Sequence, residues 1–218
     1  MKNNAHFSTK KLALVAMLAA VAYLIVSLIR IPVVLFLSYE PKDVVITIGG
    51  FLLGPMASFI ISLVVSLLEM VTISQTGPIG GLMNLLSTCS FACTAAFVYK
   101  KRHTLGGAIG GLTLGTVAMA VVMILWNWLI TPLYMGVSRE AVEGMLLSVF
   151  LPFNLLKAGF NSAFVLCLYK PLVGALRKTG LITAGAGKGG SAKIGIYLLG
   201  LGLLISCVLL LLVFQGKI

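Results

Sequence analysis

In the run FLPFNLLKAGFNSAF (150–164), Asn154, Lys157 and Asn161 stand among side chains that are otherwise almost wholly apolar. On a helix, at ~100° per residue, these three positions fall within roughly 60° of one another and form one polar stripe. An ammonium in such a run costs a few kcal/mol even on the mildest membrane-insertion scale, so it is expected to face a cavity that offers acceptors. Snorkelling to an interface is the competing use of such a lysine, but Lys157 is about ten residues from either end of its run. Two carboxamides give paired donors and acceptors, and the lysine adds a cationic donor. With apolar and aromatic walls, that set suits a planar heterocycle with an imide-like edge rather than a sugar or a metal ion. No carboxylate lies on the stripe, which argues against an organic cation. Lys157 reads as a hydrogen-bond donor and not as a Schiff-base lysine.

Two further carboxamides lie in apolar runs. Asn127 sits between two indoles in WNW (126–128), and Asn84 lies in GGLMNLLS (80–87). Asn127 suits either a ligand contact or an interhelical hydrogen bond, and Asn84 divides the same way. Trp126 and Trp128 also fit an interfacial aromatic belt. Enzyme chemistry finds little to work with. The two histidines, His6 and His103, lie outside the apolar runs, and no HExxH or GxSxG pattern occurs. Cys89 and Cys93 share a helix face with no histidine or carboxylate on that run to complete a metal site, so no metal and no cofactor are expected.

The elements that must hold these groups follow from composition. The 218 residues are 60% hydrophobic and 10% charged, with a mean hydropathy of +1.12. A chain without a charged skin takes the bilayer as its solvent, so the fold class is an all-α integral membrane protein. Apolar runs place helices at 11–30, 79–99, 105 to about 131, and 147–169. Pro32 ends the first and Pro132 the fifth. The run 44–73 divides at Gly54-Pro55 into a short helix over 43–53 and a longer one over 55–74, the short one packed by its neighbours. Between them and the first helix, 31–43 is an apolar, irregular segment, and 133–144 is an external loop with an interfacial helical turn. SQTGPIG (74–80) is turn chemistry. Helix five opens with Gly106/Gly110, Gly107/Gly111 and Gly111/Gly115, spacings that allow close helix approach.

The net charge of +11 could suggest nucleic acid, but the distribution of the basic residues argues against it. Eleven of the sixteen fall in three clusters on one face of the predicted topology, the N-terminal lysines, Lys100-Lys101-Arg102, and 170–193. Arg30, Lys42, Arg139 and Lys217 fall on the other, with the acids Glu40, Asp43, Glu140 and Glu143, and Glu69 near that end of its helix. The positive-inside rule then makes the N-terminus cytoplasmic, in a multi-pass protein of the cell membrane. The chain divides into a six-helix membrane domain (1–178), a Gly/Ala/Lys-rich linker (179–193) and a further apolar segment (194–218) that includes a seventh predicted span. The linker lacks the Gly-Lys-Ser/Thr ending of a phosphate loop, so any energy source must be a partner.

Four stretches carry a family resemblance: LSYEPKDVVITIGGFLLGP (37–55), GPIGGLMN (77–84), the Asn127 position, and LPFNLLKAGFN (151–161). Over about residues 8–178 the chain resembles the riboflavin-binding S-components of energy-coupling-factor (ECF) vitamin transporters. The resemblance implies a six-helix bundle with both ends of the bundle cytoplasmic, riboflavin as the transported ligand, and assembly with a transmembrane coupling subunit and two ATPase subunits. It also implies that Asn127, Asn154 and Lys157 hydrogen-bond the isoalloxazine edge. Tyr39 and its neighbours would cap the ligand, with 31–43 as the gating loop. Ala16 and Ala20 would form the small-residue spacing that docks the coupling subunit. The tail beyond helix six departs from the family pattern. An S-component for another vitamin and a stand-alone proton-linked transporter using Lys157 and Glu69 are the rival readings.

Overall fold

The computed structural model describes residues 9–73, 77–178 and 194–214. The linker 179–193, Lys217, the N-terminal Lys2 and part of the 74–80 turn lie outside the described residues. Among the described residues, five stretches are long and apolar enough to cross a bilayer. They are α1 (Thr9–Leu28), α3 (Pro55–Thr72), α4 (Gly77–Lys101), α5 (Leu105–Met135), and a run from Arg139 to Tyr169 formed by α6 (Arg139–Met145) and α7 (Leu151–Lys178). Leu28, Val71 and Leu133 are at least 80% exposed on the outside of this bundle, an arrangement only hydrocarbon makes favourable.

The run 44–73 divides at Gly54-Pro55. α2 (Lys42–Leu53) ends at Gly54, whose φ of 100° suits glycine, and Pro55 opens α3. At 12 residues, about 18 Å long, α2 cannot cross hydrocarbon alone. Its residues from Lys42 to Phe51 are buried apart from Val45, among α1, α3, α4 and α7.

Sequence and structure differ at three places. The irregular segment is an antiparallel hairpin, β1 (Ile31–Val34) and β2 (Leu37–Tyr39), pairing Ile31 with Tyr39 and Pro32 with Ser38. Its β-branched residues favour extended backbone, and a two-stranded ribbon is all edge, where a proline is tolerated. Leu35 at the tip has φ 50°, the one non-glycine residue in that region among the described residues. Pro132 does not end α5, which continues to Met135. Inside a membrane bundle, neighbouring helices keep a helix intact through the lost donor. The interfacial helical turn expected within 133–144 is α6, capped by the Ser138 hydroxyl accepting from Ala141 N, but no break separates it from helix six. It passes through a wider π-helical stretch, Leu146–Phe150, into α7. That wider winding relieves the clash that Pro152 would impose on the preceding turn.

Of the glycine spacings, Gly107, Gly111 and Gly115 form the packed face. A Cβ on Gly111 would stand 2.7 Å from the Ala95 carbonyl oxygen, and one on Gly115 2.6 Å from that of Phe91, whereas Gly110 faces open space. α4 and α5 therefore meet backbone to backbone.

The tail forms α8 (Ile194–Phe214). It packs antiparallel to α7 through two reciprocal notches: Cys207 Sγ fills the gap left by Gly159, and Cys167 Sγ the gap left by Gly200. Cys207 also joins an apolar cluster with Val33, Leu37 and Tyr39 of the hairpin and Phe150, Phe153 and Phe160 of the π-helical stretch and α7.

Candidate ligand-binding site

Beneath the hairpin, a cavity of about 110 Å³ opens between β1–β2, α4, α5 and α7. Its polar lining includes Arg30, Glu40, Asn84, Ser87, Asn154 and Lys157, and its apolar lining Phe36, Leu37, Met83, Met123 and Phe153. The stripe on α7 is real, and its members divide. Asn154 and Lys157 line the cavity, while Asn161, a turn further along α7, does not. The Asn154 amide donates to the Phe150 carbonyl at 2.7 Å. Its Oδ1 is the remaining group of that carboxamide.

No carboxylate lies on the stripe itself, but one reaches it from another helix. Asp43, on the first turn of α2, lies 3.3 Å from Lys157 Nζ through Oδ2. The same oxygen accepts from Asn161 Nδ2 at 3.3 Å, and Oδ1 accepts from the Thr88 hydroxyl at 2.7 Å. The start of a helix also favours an anion there. Sequence reasoning put Asp43 on the outer side, where the irregular segment 31–43 meets the short helix 43–53, and gave it no partner. The one available signal was that a helix buried on all sides follows it directly.

Lys42 and Glu40, placed on the outer side in the same way, are buried too, 0% and 4% exposed. Lys42 Nζ donates to both oxygens of Glu69 and lies 2.6 Å from Glu40 Oε2. Glu40 also pairs with Arg30 at 2.9 Å, and Asn84 Nδ2 donates to Glu69 Oε2 at 3.1 Å. Burying an ion costs several kcal/mol unless it is paired. Here three cations (Arg30, Lys42, Lys157) meet three carboxylates (Glu40, Asp43, Glu69). Burial opposes ionisation of Glu40, but Lys42, Lys157 and Arg30 outweigh it and hold its carboxyl below the usual carboxylate value. Arg30 Nε has no hydrogen-bond partner among the described residues, although it borders the cavity.

Tyr39 is buried against Phe160, with ring centroids 5.0 Å apart, and its hydroxyl donates to Asn161 Oδ1 at 3.2 Å. Burial above all, then the Asp43 charge, pushes its phenol up, so it stays a donor. It supports the site from behind rather than bordering the cavity.

Asn127 is fully buried on α5, donating to the Met123 carbonyl at 2.7 Å and accepting from the Thr131 hydroxyl at 2.8 Å. It stands on the same helix face as Met123, which borders the main cavity, and Thr131, which borders a small second cavity with Trp126 and Tyr134. Its carboxamide is turned along its own helix. Phe36 and Met83 line both cavities, and the Phe36 ring meets Tyr134 edge-on at 5.5 Å. Trp128 sits at the surface, donating to Glu143 Oε1 at 2.9 Å beneath the Arg139 guanidinium. Among the described residues, no cluster of His, Cys, Asp and Glu has the arrangement of a metal site.

The arrangement can present an ammonium, carboxamides and a carboxylate to the edge of a flat guest, with aromatic and thioether walls for its faces.

The family profile described as "ECF transporter, substrate-specific component" matches residues 10–169, leaving α8 beyond it. The chain is 29% identical over 178 residues to the riboflavin transporter RibU of Staphylococcus aureus (strain TCH60), covering 78% of this chain and 93% of that protein. It is 29% identical over 160 residues to the riboflavin transporter FmnP of Bacillus subtilis (strain 168), covering 68% and 84%. A solved structure described as the S component of a bacterial ECF transporter superposes with a TM-score of 0.66 at 29% identity, over 77% of this chain and 98% of that one.

Proposed function

The chain belongs to the substrate-specific components of ECF transporters, and we propose that it captures riboflavin in the cavity beneath the hairpin for delivery across the membrane. One observation carries the choice of ligand: in a fold whose curated relatives are riboflavin transporters, Asn154, Lys157 and Asn84 line one cavity together with Phe36, Met83 and Met123. A tricyclic ring that is polar along one edge and apolar on both faces matches that mixture of lining groups. The charges around the cavity are paired among themselves, so a neutral guest enters without stranding a buried ion.

Asn154 and Lys157 act as the edge contacts, with Asn84 beside them. Asn127 joins them when its carboxamide leaves Met123. The hairpin acts as the gate, and Tyr39 and Asn161 hold it to α7. No covalent step is involved. The N-terminus lies in the cytoplasm, which supports entry from the extracellular side, where the hairpin closes the bundle. Residues 1–178 act as the riboflavin-binding unit, and the tail beyond the linker adds a further span.

Inward release draws on partners: a transmembrane coupling subunit and two ATPases. On α1, Ala16 and Ala20 are exposed on one face, a small-residue surface on which a partner helix can lie close. The test is a titration of riboflavin against the purified chain in detergent, followed by quenching of flavin fluorescence, with other vitamins as competitors. Saturable binding that other vitamins do not displace supports the reading; displacement by another vitamin or no binding overturns it. Flux by the purified chain in vesicles without ATPases would instead favour a stand-alone transporter.

A further inference from the structure

We propose that Asp43 is the positioning residue of Lys157, and that Asn161 and Tyr39 tie this pair to the hairpin. The inference rests on the riboflavin reading above, because it concerns how that site is held ready.

Four buried polar groups form a line from the gate to the cavity wall. The Tyr39 hydroxyl on β2 donates to Asn161 Oδ1 at 3.2 Å, and Asn161 Nδ2 donates to Asp43 Oδ2 at 3.3 Å. Lys157 Nζ lies 3.3 Å from that same oxygen. Thr88 anchors the other oxygen from α4 at 2.7 Å. Of the four, only Lys157 borders the cavity. Asp43 therefore acts on a guest through the lysine, while Tyr39 and Asn161 also hold the hairpin.

The distance matters. A committed ammonium–carboxylate hydrogen bond is about 2.7–2.9 Å, so at 3.3 Å Asp43 steers Lys157 without using up its donors. An ammonium carries three protons, and those not directed at Asp43 remain for the guest. A lysine has a long flexible stem, and a second carboxylate is at hand: Glu40 borders the same cavity and feels the Lys157 charge. Without Asp43, the ammonium turns toward Glu40 across the space the guest needs. Asp43 thus keeps the donor at the wall and the cavity clear, so the orientation is already set before the ligand arrives.

The test uses the full chain in detergent, with riboflavin as the probe. Binding by the unchanged chain is measured first; if there is none, the riboflavin reading fails and this inference falls with it. Given binding, Asp43→Asn should weaken it about tenfold in the unchanged background and by less than about twofold beside Lys157→Met, since the effect runs through the lysine. At saturating riboflavin, the visible absorption band of the flavin bound to Asp43→Asn should match that in Lys157→Met. A loss equal in both backgrounds, or a band like that of the unchanged chain, overturns the proposal. If Asp43→Asn does not fold, Thr88→Val carries the same test by removing one hydrogen bond to Asp43. It should cost about threefold, the worth of one hydrogen bond, and nothing beside Lys157→Met. An equal cost in both backgrounds, or none in either, overturns it.

Discussion

Lys157 and Asp43, separated by more than a hundred positions in the chain, bring the middle of α7 and the first turn of α2 together at 3.3 Å. The ammonium that stands out in the sequence is therefore a paired ion at the edge of a cavity. Its remaining donors are what a guest in that cavity would meet.

Removing that donor tests the site directly. Lys157→Ala should weaken riboflavin binding at least tenfold, ~1.4 kcal/mol, as read by fluorescence titration. Unchanged affinity would remove Lys157 from the site.

The second ion cluster is a matter of stability. Lys42 is fully buried between Glu40 and Glu69. Lys42→Met strands Glu69, leaving Glu40 only Arg30, and should cost roughly 3–5 kcal/mol, seen as a lower unfolding temperature in detergent. Glu69→Gln with Lys42→Met together should recover much of that loss, because the charges then leave as a pair.

Glycine placement on α5 gives a contrast within one helix. Gly115→Ala puts a methyl 2.6 Å from the Phe91 carbonyl oxygen and should cost about 1–3 kcal/mol through overpacking. Gly110→Ala meets nothing within 4 Å and should leave the unfolding temperature unchanged or slightly raised. Equal behaviour of the two variants would contradict the packed face described for α4 and α5.

The exposed small residues of α1 concern the partners. Ala16→Trp together with Ala20→Trp should leave riboflavin binding by the purified chain intact and abolish uptake by cells. If binding is lost as well, the pair serves the fold.

The antiparallel course of α8 along α7 predicts the position of the C-terminus. A tag after Ile218 should be labelled by an impermeant reagent in intact cells. Labelling only after permeabilisation would place both ends of the chain on the same side.

Much of this architecture is legible from hydropathy, because each long apolar run has one stable solution in a bilayer. Gly54-Pro55 announces its own break, and a lysine inside FNLLKAGFN announces a cavity. The ion partners do not announce themselves. Glu40, Lys42 and Asp43 flank Pro41 in a pattern that is also that of a solvated turn, and only the packing of α2 on every side takes them out of water. The hairpin and the passage of α5 through Pro132 were hidden for a related reason. Tertiary surroundings supply what the local sequence lacks, whether a strand partner or neighbours that keep a helix going past a proline.

The notches at Gly159 and Gly200, each filled by a sulfur from the facing helix, have a consequence for assembly. A molecule that brings its own escort for α7 has that flank occupied before any other subunit arrives. Newcomers must approach along flanks that α8 leaves bare, and the exposed face of α1 is one of these.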